Sequence, residues 1–269
     1  MTSSFWNKNI FRFVVPVFLL VFWEVISRSG LFPMALFPPP TRVISVWIDW
    51  MFGTNGSSEI NSGLWLEAVL SSGMRVMSGY FIAVAIGVVL GVAIGWSKIV
   101  ERLIEPTIQM LRPIPPAAWI PLAIIWLGIA NKPAIFLVTL GSFFPIVVNT
   151  IYGVKTTDKN LIRAASMMGS SRWQIIRYVI MPAALPSIFT GLRLGIGTAW
   201  ALTVTAEMIA VKNGLGYVLW DSYYFLRYDL VIASMASMGL MGFLMDLLIK
   251  KIMDRLLHWQ RNTSVQGMQ

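Results

Sequence analysis

Chemistry at a protein site needs a nucleophile, an acid–base group, a metal or a cradle for phosphate, and this 269-residue chain carries few of the parts. It has no cysteine and one histidine, His258, in a polar tail. Thiolate chemistry, disulfides and multi-histidine metal sites within the chain are thereby excluded, and a lone tail histidine is solvated far more often than catalytic. No Gly-Lys-Ser/Thr phosphate loop is present; Gly95-Trp96-Ser97-Lys98 puts the lysine after the serine and does not make one. What remains are isolated charges in oily surroundings: Arg193 and Glu207 in one apolar stretch, with Arg75 and Arg112 at the ends of others. Charge at membrane depth is costly and usually faces a bundle interior or a water-filled cavity. Arg193 and Glu207 stand fourteen residues apart. On one helix that is about 21 Å, so they share a face without pairing. Two readings stay open. Each lines a passage, or Arg193 snorkels to one surface while Glu207 sits at the opposite rim; Arg75 is as well placed to hold an interfacial partner.

The elements that must hold these charges are membrane spans. Apolar side chains make up 57% of the chain and charged ones 12%, with a mean hydropathy of +0.70, too oily for an ordinary soluble domain. A bilayer-crossing helix takes roughly 20 residues. Gly79 to Trp96, Pro113 to Ile129, Pro133 to Val154 and Leu230 to Met245 approach that length, and Phe13 to Ser27 and Ile188 to Ala210 are two further candidates. The expected fold class is all-α, a polytopic membrane protein of about six transmembrane helices. Lys8 and Arg12 ahead of the apolar run Phe13 to Trp23 also fit the front of a cleavable signal peptide. Glu24 and Ser27-Arg28-Ser29 do not resemble a small-residue cleavage site, however, and the segment reads better as an anchor.

Charge placement gives the spans a direction. With the N-terminus in the cytoplasm, thirteen lysines and arginines fall in inside segments, Lys98, Lys155 and Arg163 among them, against five outside: Arg28, Arg42, Lys132, Lys212 and Arg227. The excess places both termini in the cytoplasm. It also accounts for the net charge of +9 without any nucleic-acid partner. Membrane lipid is the expected surrounding.

Along the chain, residues 1–63 read as an anchor span with an outer segment, 64–250 as a membrane core and 251–269 as a cytoplasmic tail. The prolines of Phe37-Pro38-Pro39-Pro40 forbid helix there. Thr41 is then placed to cap a short helix, Arg42 to Phe52, with Val43, Val46, Trp47 and Trp50 on one face. Gly87, Gly91 and Gly95 form a stripe that allows close helix approach. Four prolines between Arg112 and Pro121 interrupt the third span, Pro115 and Pro116 at the centre. Either that helix is kinked and lines a passage, or it starts only after Pro116. Trp126, Trp200 and Trp220 fit an aromatic gate or, more simply, interfacial belts.

Between the fourth and fifth spans runs DKNLIRAASMMGSSRWQIIRYVIMPAALP, residues 158–186. Leu161, Ala164, Ala165 and Met168 share a face of a short helix that Asp158 or Asn160 can cap. Gly169 supplies its stop, and Ser170 or Ser171 starts a second helix with Trp173, Ile176 and Ile180 inward, broken at Pro182 and Pro186. The result is a helix-turn-helix on the cytoplasmic face, rimmed by Arg163, Arg172 and Arg177, with a shape suited to being gripped.

This segment resembles the cytoplasmic loop of the permeases of binding-protein-dependent ABC importers, in particular the nitrate, sulfonate and taurine branch. Ala164, Ala165 and Gly169 match the loop motif in register, and Val179, Met181 and Pro182 match its close conservatively. Arg163 stands where the family carries glutamate, so the glutamate's ion-pair role does not carry over to that position. Leu31 to Val43, Gln109 to Pro115, Ile120-Pro121-Leu122 and Ala206-Glu207-Met208 ahead of Gly214-Leu215-Gly216 extend the resemblance over nearly the whole chain. It implies a type I ABC importer permease in a bacterial inner membrane, not itself an enzyme. The implied partners are a second copy of the chain, two cytoplasmic ATPase subunits holding ATP and magnesium, and an external solute-binding protein. Arg163, Ala164, Ala165, Gly169, Ser170, Arg172 and Pro182 would be the coupling loop, and Arg193, Glu207, Pro115 and Pro116 the candidate passage. The expected solute is a small anion of the nitrate, sulfonate, taurine or bicarbonate kind. A secondary transporter would need internal repeats and coupling carboxylates, and an intramembrane enzyme a nucleophile or metal cluster; neither signal is present.

Overall fold

The computed structural model describes residues 3–54 and 61–257, with side chains from Val14 onward. Lys8 and Arg12 as side chains, most of the Gly53 to Gly63 loop, and His258, Arg261 and the rest of the tail lie outside the described residues. Among those described, every regular element is a helix: α1 Ser3–Arg28, α2 Pro40–Phe52, α3 Trp65–Trp96, α4 Lys98–Leu111, α5 Ile120–Leu127, α6 Asn131–Lys155, α7 Lys159–Met167, α8 Arg172–Ile175, α9 Met181–Ala210, α10 Leu215–Tyr224 and α11 Tyr228–Leu256. A 3₁₀ turn, Pro116–Trp119, precedes α5, and a π turn, Ile176–Ile180, joins α8 to α9.

Four helical stretches are long and apolar enough to cross a bilayer: α3, α6, the continuous Arg172–Ala210 rod and α11. The pair Lys98–Leu111 and Pro116–Leu127, bent by 88°, makes a fifth if it is one span. Helix α1, whose side chains from Val14 to Phe22 are exposed and apolar, covers the first of the six expected spans.

Glycines set the packing. Helices α3 and α6 run parallel in contact, because Gly79, Gly87, Gly91 and Gly95 meet Val138, Ile146, Thr150 and Val154 in ascending order. A Cβ on Gly91 would sit 2.5 Å from that of Thr150, so only hydrogen fits there. An adjoining face of α6 takes α9 antiparallel, with Gly191 against Pro145 and Gly153 against Ser187. Because α3 and α6 point the same way, the chain between them must climb back. It does so through α4 and α5, whose Ile108 and Ile120 pack along α6 beside Val147 and Leu137 respectively. If the bent pair is one span, the third crossing begins at Lys98 rather than at Pro113. We call the end carrying α7 and α8 the loop end and the end carrying α2 and α10 the far end.

Two local expectations change. Helix α2 starts at Pro40, with Pro39 as N-cap and no side-chain cap, since a proline at the first turn needs no donor. Thr41 instead gives its hydroxyl and its backbone N–H to Glu24, at 3.0 and 3.2 Å, while Arg28 Nε holds the same carboxylate at 2.5 Å. Glu24 is thus the tie between α1 and α2. Helix α11 continues past Met245 to Leu256 and so carries Asp246 and Asp254 within a spanning helix.

Candidate functional site

The loop end is shaped by short-range chemistry. Asp158 Oδ1 accepts the Asn160 N–H at 2.8 Å and starts α7. Gly169 ends it with φ +79°, its N–H bonded to Ser166 O and the Ser170 N–H to Ala165 O, both at 3.1 Å, the paired bonds of a Schellman stop. Ser171 and Gln174 then cap each other reciprocally.

Pro182 and Pro186 do not end the second helix. The rod from Arg172 to Ala210 is continuous, because the π turn shifts the bonding pattern just before Pro182, with the Met181 N–H reaching Ile176 O. A proline lacks a donor and crowds the preceding turn, and a locally widened turn relieves both. The inward residues differ as well. Ala165, Ile175 and Ile180 are buried, whereas Leu161, Met167, Met168, Trp173 and Tyr178 are exposed. Leu161, Ala164, Ala165, Met168, Tyr178, Val179, Pro182 and Ala183 line an open groove of about 400 Å³. Arg163, Arg172 and Arg177 are exposed around it, Arg177 stacking over Tyr178 at 5.9 Å. An apolar groove with a basic rim suits a protein partner better than lipid.

At the far end, Arg75 and Glu207 are buried together, with side chains 4% and 1% exposed. Arg75 Nη1 donates to Glu207 Oε1 at 2.5 Å and to Asn213 O at 3.1 Å, and its Nε donates to Asn131 Oδ1 at 2.7 Å. Nη2 bonds the Asn213 side chain. The other carboxylate oxygen accepts from Ser72 Oγ and from the Gly216 N–H, each at 2.8 Å. This hub ties α3, α6, α9 and the start of α10. It explains why Ala206-Glu207-Met208 and Gly214-Leu215-Gly216 read as one signature although a loop divides them. Glu207 therefore faces protein, and Arg75 is its counterion rather than a surface charge awaiting a partner.

Arg193 is arranged differently. Its Nε and Nη2 grip Asp246 Oδ1 and Oδ2 at 2.8 and 2.7 Å across α9 and α11, with the two side chains 37% and 31% exposed. Sequence reading missed Asp246 because the apolar run stops one residue before it.

The third polar feature is the break at 112–115. These residues are exposed, and among the described residues no backbone N–H outside the helices bonds the carbonyls of Arg112, Pro113 or Ile114. Pro115 is exposed and Pro116 half-buried near Gly141 of α6. Of the three tryptophans, Trp200 is buried with its Nε1 3.2 Å from Met245 Sδ, Trp220 stacks on Tyr223, and Trp126 is exposed on α5. Their ring contacts do not join them to one another.

Residues 83–261 match the family model of the binding-protein-dependent transport system inner membrane component. The taurine transport system permease protein of Escherichia coli (strain K12) is 37% identical over 245 residues, covering 91% of this chain and 87% of that one. The bicarbonate transport system permease protein of Synechocystis sp. is 31% identical, covering 91% and 89%. Among solved structures, the MetNI methionine ABC transporter in an inward-facing conformation matches with a TM-score of 0.63 at 20% identity, over 72% of this chain and 96% of that one.

Proposed function

We propose that this chain, which belongs to the family of binding-protein-dependent transport system inner membrane components, works as one of two copies that together form the passage of an importer for a small oxyanion. Its class is that of an ABC importer permease, a multi-pass membrane subunit that is not itself catalytic. The observation that carries the reading is the groove at the loop end. It lies at the start of a 39-residue rod, Arg172–Ala210, that continues without interruption to the far end. A push on α7 and α8 is therefore a push on α9, since a helix transmits displacement along its axis.

Two cytoplasmic ATPase subunits, one per copy, are the proposed occupants of this groove, with ATP and magnesium bound in those subunits. The exposed break at Arg112 to Pro115 supports a second copy. Backbone carbonyls without partners at membrane depth are tolerated only against protein or water, so this face belongs to the passage or to the partner copy. A solute-binding protein would meet the far end, which the thirteen-to-five basic asymmetry puts outside, with both termini in the cytoplasm. The relatives named for taurine and bicarbonate transport support a small oxyanion as solute.

The test is reconstitution. Purified alone, the chain should hydrolyse no ATP. With its ATPase and binding protein in proteoliposomes, it should take up labelled taurine or bicarbonate only when ATP is present. Uptake by the chain alone, driven by an ion gradient, would overturn the reading.

A further inference from the structure

We propose that the free edge of the Arg193 guanidinium is an oxyanion-binding position on the passage, and that Asp246 holds it there at reduced affinity. The inference rests on the oxyanion reading above. A guanidinium carries five N–H donors in a planar fork. Asp246 takes one edge, Nε and one N–H of Nη2, in two short parallel bonds. Nη1 and the second Nη2 hydrogen have no partner among the described residues, and the side chain is 37% exposed. That second edge matches two oxygens of a sulfonate, a bicarbonate or a phosphate ester.

The surroundings argue for water there. Both helices are spanning helices, and an ion pair about one-third exposed to hydrocarbon would leave donors without acceptors. Lys250 and Asp254 follow Asp246 at four-residue steps on α11, so the same helix face stays charged to the loop end. A polar track of this kind belongs to a wet surface. Asp246 has a further consequence. An unpaired arginine would hold an anion tightly, whereas a passage must bind weakly enough to release. The carboxylate cancels the charge and leaves only the directed donors.

The same chemistry would suit an anionic lipid headgroup, so the experiment separates the two. In the cysteine-free chain, Arg193→Cys is assembled with its ATPase and binding protein and treated with cationic aminoethyl and anionic sulfonatoethyl methanethiosulfonates. Both reagents should react, and the cationic adduct should restore taurine uptake several-fold over the anionic one. Failure to react, or equal uptake from both adducts, overturns the proposal. Restoration by the cationic adduct only in vesicles that contain phosphatidylglycerol assigns the edge to lipid and overturns the solute site. Should the unsubstituted complex transport neither taurine nor bicarbonate, the solute reading fails, and binding of labelled ethanesulfonate to the unsubstituted complex, lost in Arg193→Cys, still decides the site. Where Arg193→Cys assembles poorly, Asp246→Asn gives an independent readout. Its expected signature is a lower KM with a lower kcat; an unchanged KM overturns the role given to Asp246.

Discussion

Arg75 and Glu207 show how much one enclosed ion pair commits a membrane protein to a single arrangement. Every carboxylate oxygen and most guanidinium donors are used, so the desolvation of both charges is offset only while all partners stay in place. Removing one partner strands the other, at a cost of about 3–5 kcal/mol for buried pairs. Glu207→Gln should therefore lower the thermal unfolding midpoint in detergent sharply, and Arg75→Met combined with Glu207→Gln should recover part of the loss. A double variant no more stable than the single one would show that the hub does not act as a pair. Glu207 and Arg75 were each visible in the sequence as charges in or beside apolar runs, but their pairing was not, since 132 residues separate the two. Periodicity reports which face a residue shares with its neighbours and is silent on what a distant helix brings. Asp246 was hidden for a simpler reason: it stands where the apolar run Leu230 to Met245 gives way to charged residues, and a paired acid there does not end the helix.

At the level of the element, the turn between α7 and α8 rests on one residue without a side chain. Around Gly169 no atom lies within 4 Å of where a Cβ would be, so its φ of +79°, and not crowding, makes other residues unwelcome. The left-handed conformation costs an L-residue roughly 1–2 kcal/mol, more when the β-carbon is branched. Gly169→Val should leave a membrane-inserted chain whose uptake falls steeply while ATP hydrolysis is lost or no longer tied to uptake; Gly169→Ala should be milder. Insertion with wild-type uptake by Gly169→Val would remove this turn from the coupling path. Both caps of the helix-turn-helix were legible, because Asp158, Gly169 and Ser171 act on backbone atoms within a few residues of themselves. The buried face was not. Leu161, Met168 and Trp173 look like core by residue type and are exposed, since α7 meets the rest of the fold only through a narrow strip around Ala165. The prolines misled in a similar way. At Pro113 to Pro116 they do break the helix, while at Pro182 a π turn absorbs the same defect.

For the molecule as a whole, the parallel contact of α3 with α6 forces the intervening chain to cross back, which gives the α4–α5 pair its place among the spans. Hydropathy alone found the order of the crossings, because span length is set by the bilayer, and gave six candidates where the described residues hold four spans, or five if the bent α4–α5 pair is one. The sidedness follows from lysine and arginine placement and is open to direct measurement. In the cysteine-free chain, single cysteines at Thr54, beyond α2, and at Met167, in the loop, should label from opposite sides with an impermeant thiol reagent; labelling of both from outside would refute the topology. The π turn between α8 and α9 also fixes a direction. One residue turns a helix by about 100°, and a π turn amounts to one residue of slack in the helical register. The azimuth of the partner groove around the rod is thus fixed by how many residues lie between Arg172 and Met181 rather than by any side chain in that stretch. Loss or gain of a single residue there would swing the whole grip sideways while the membrane part kept its packing, a change of angular phase that substitution alone cannot make.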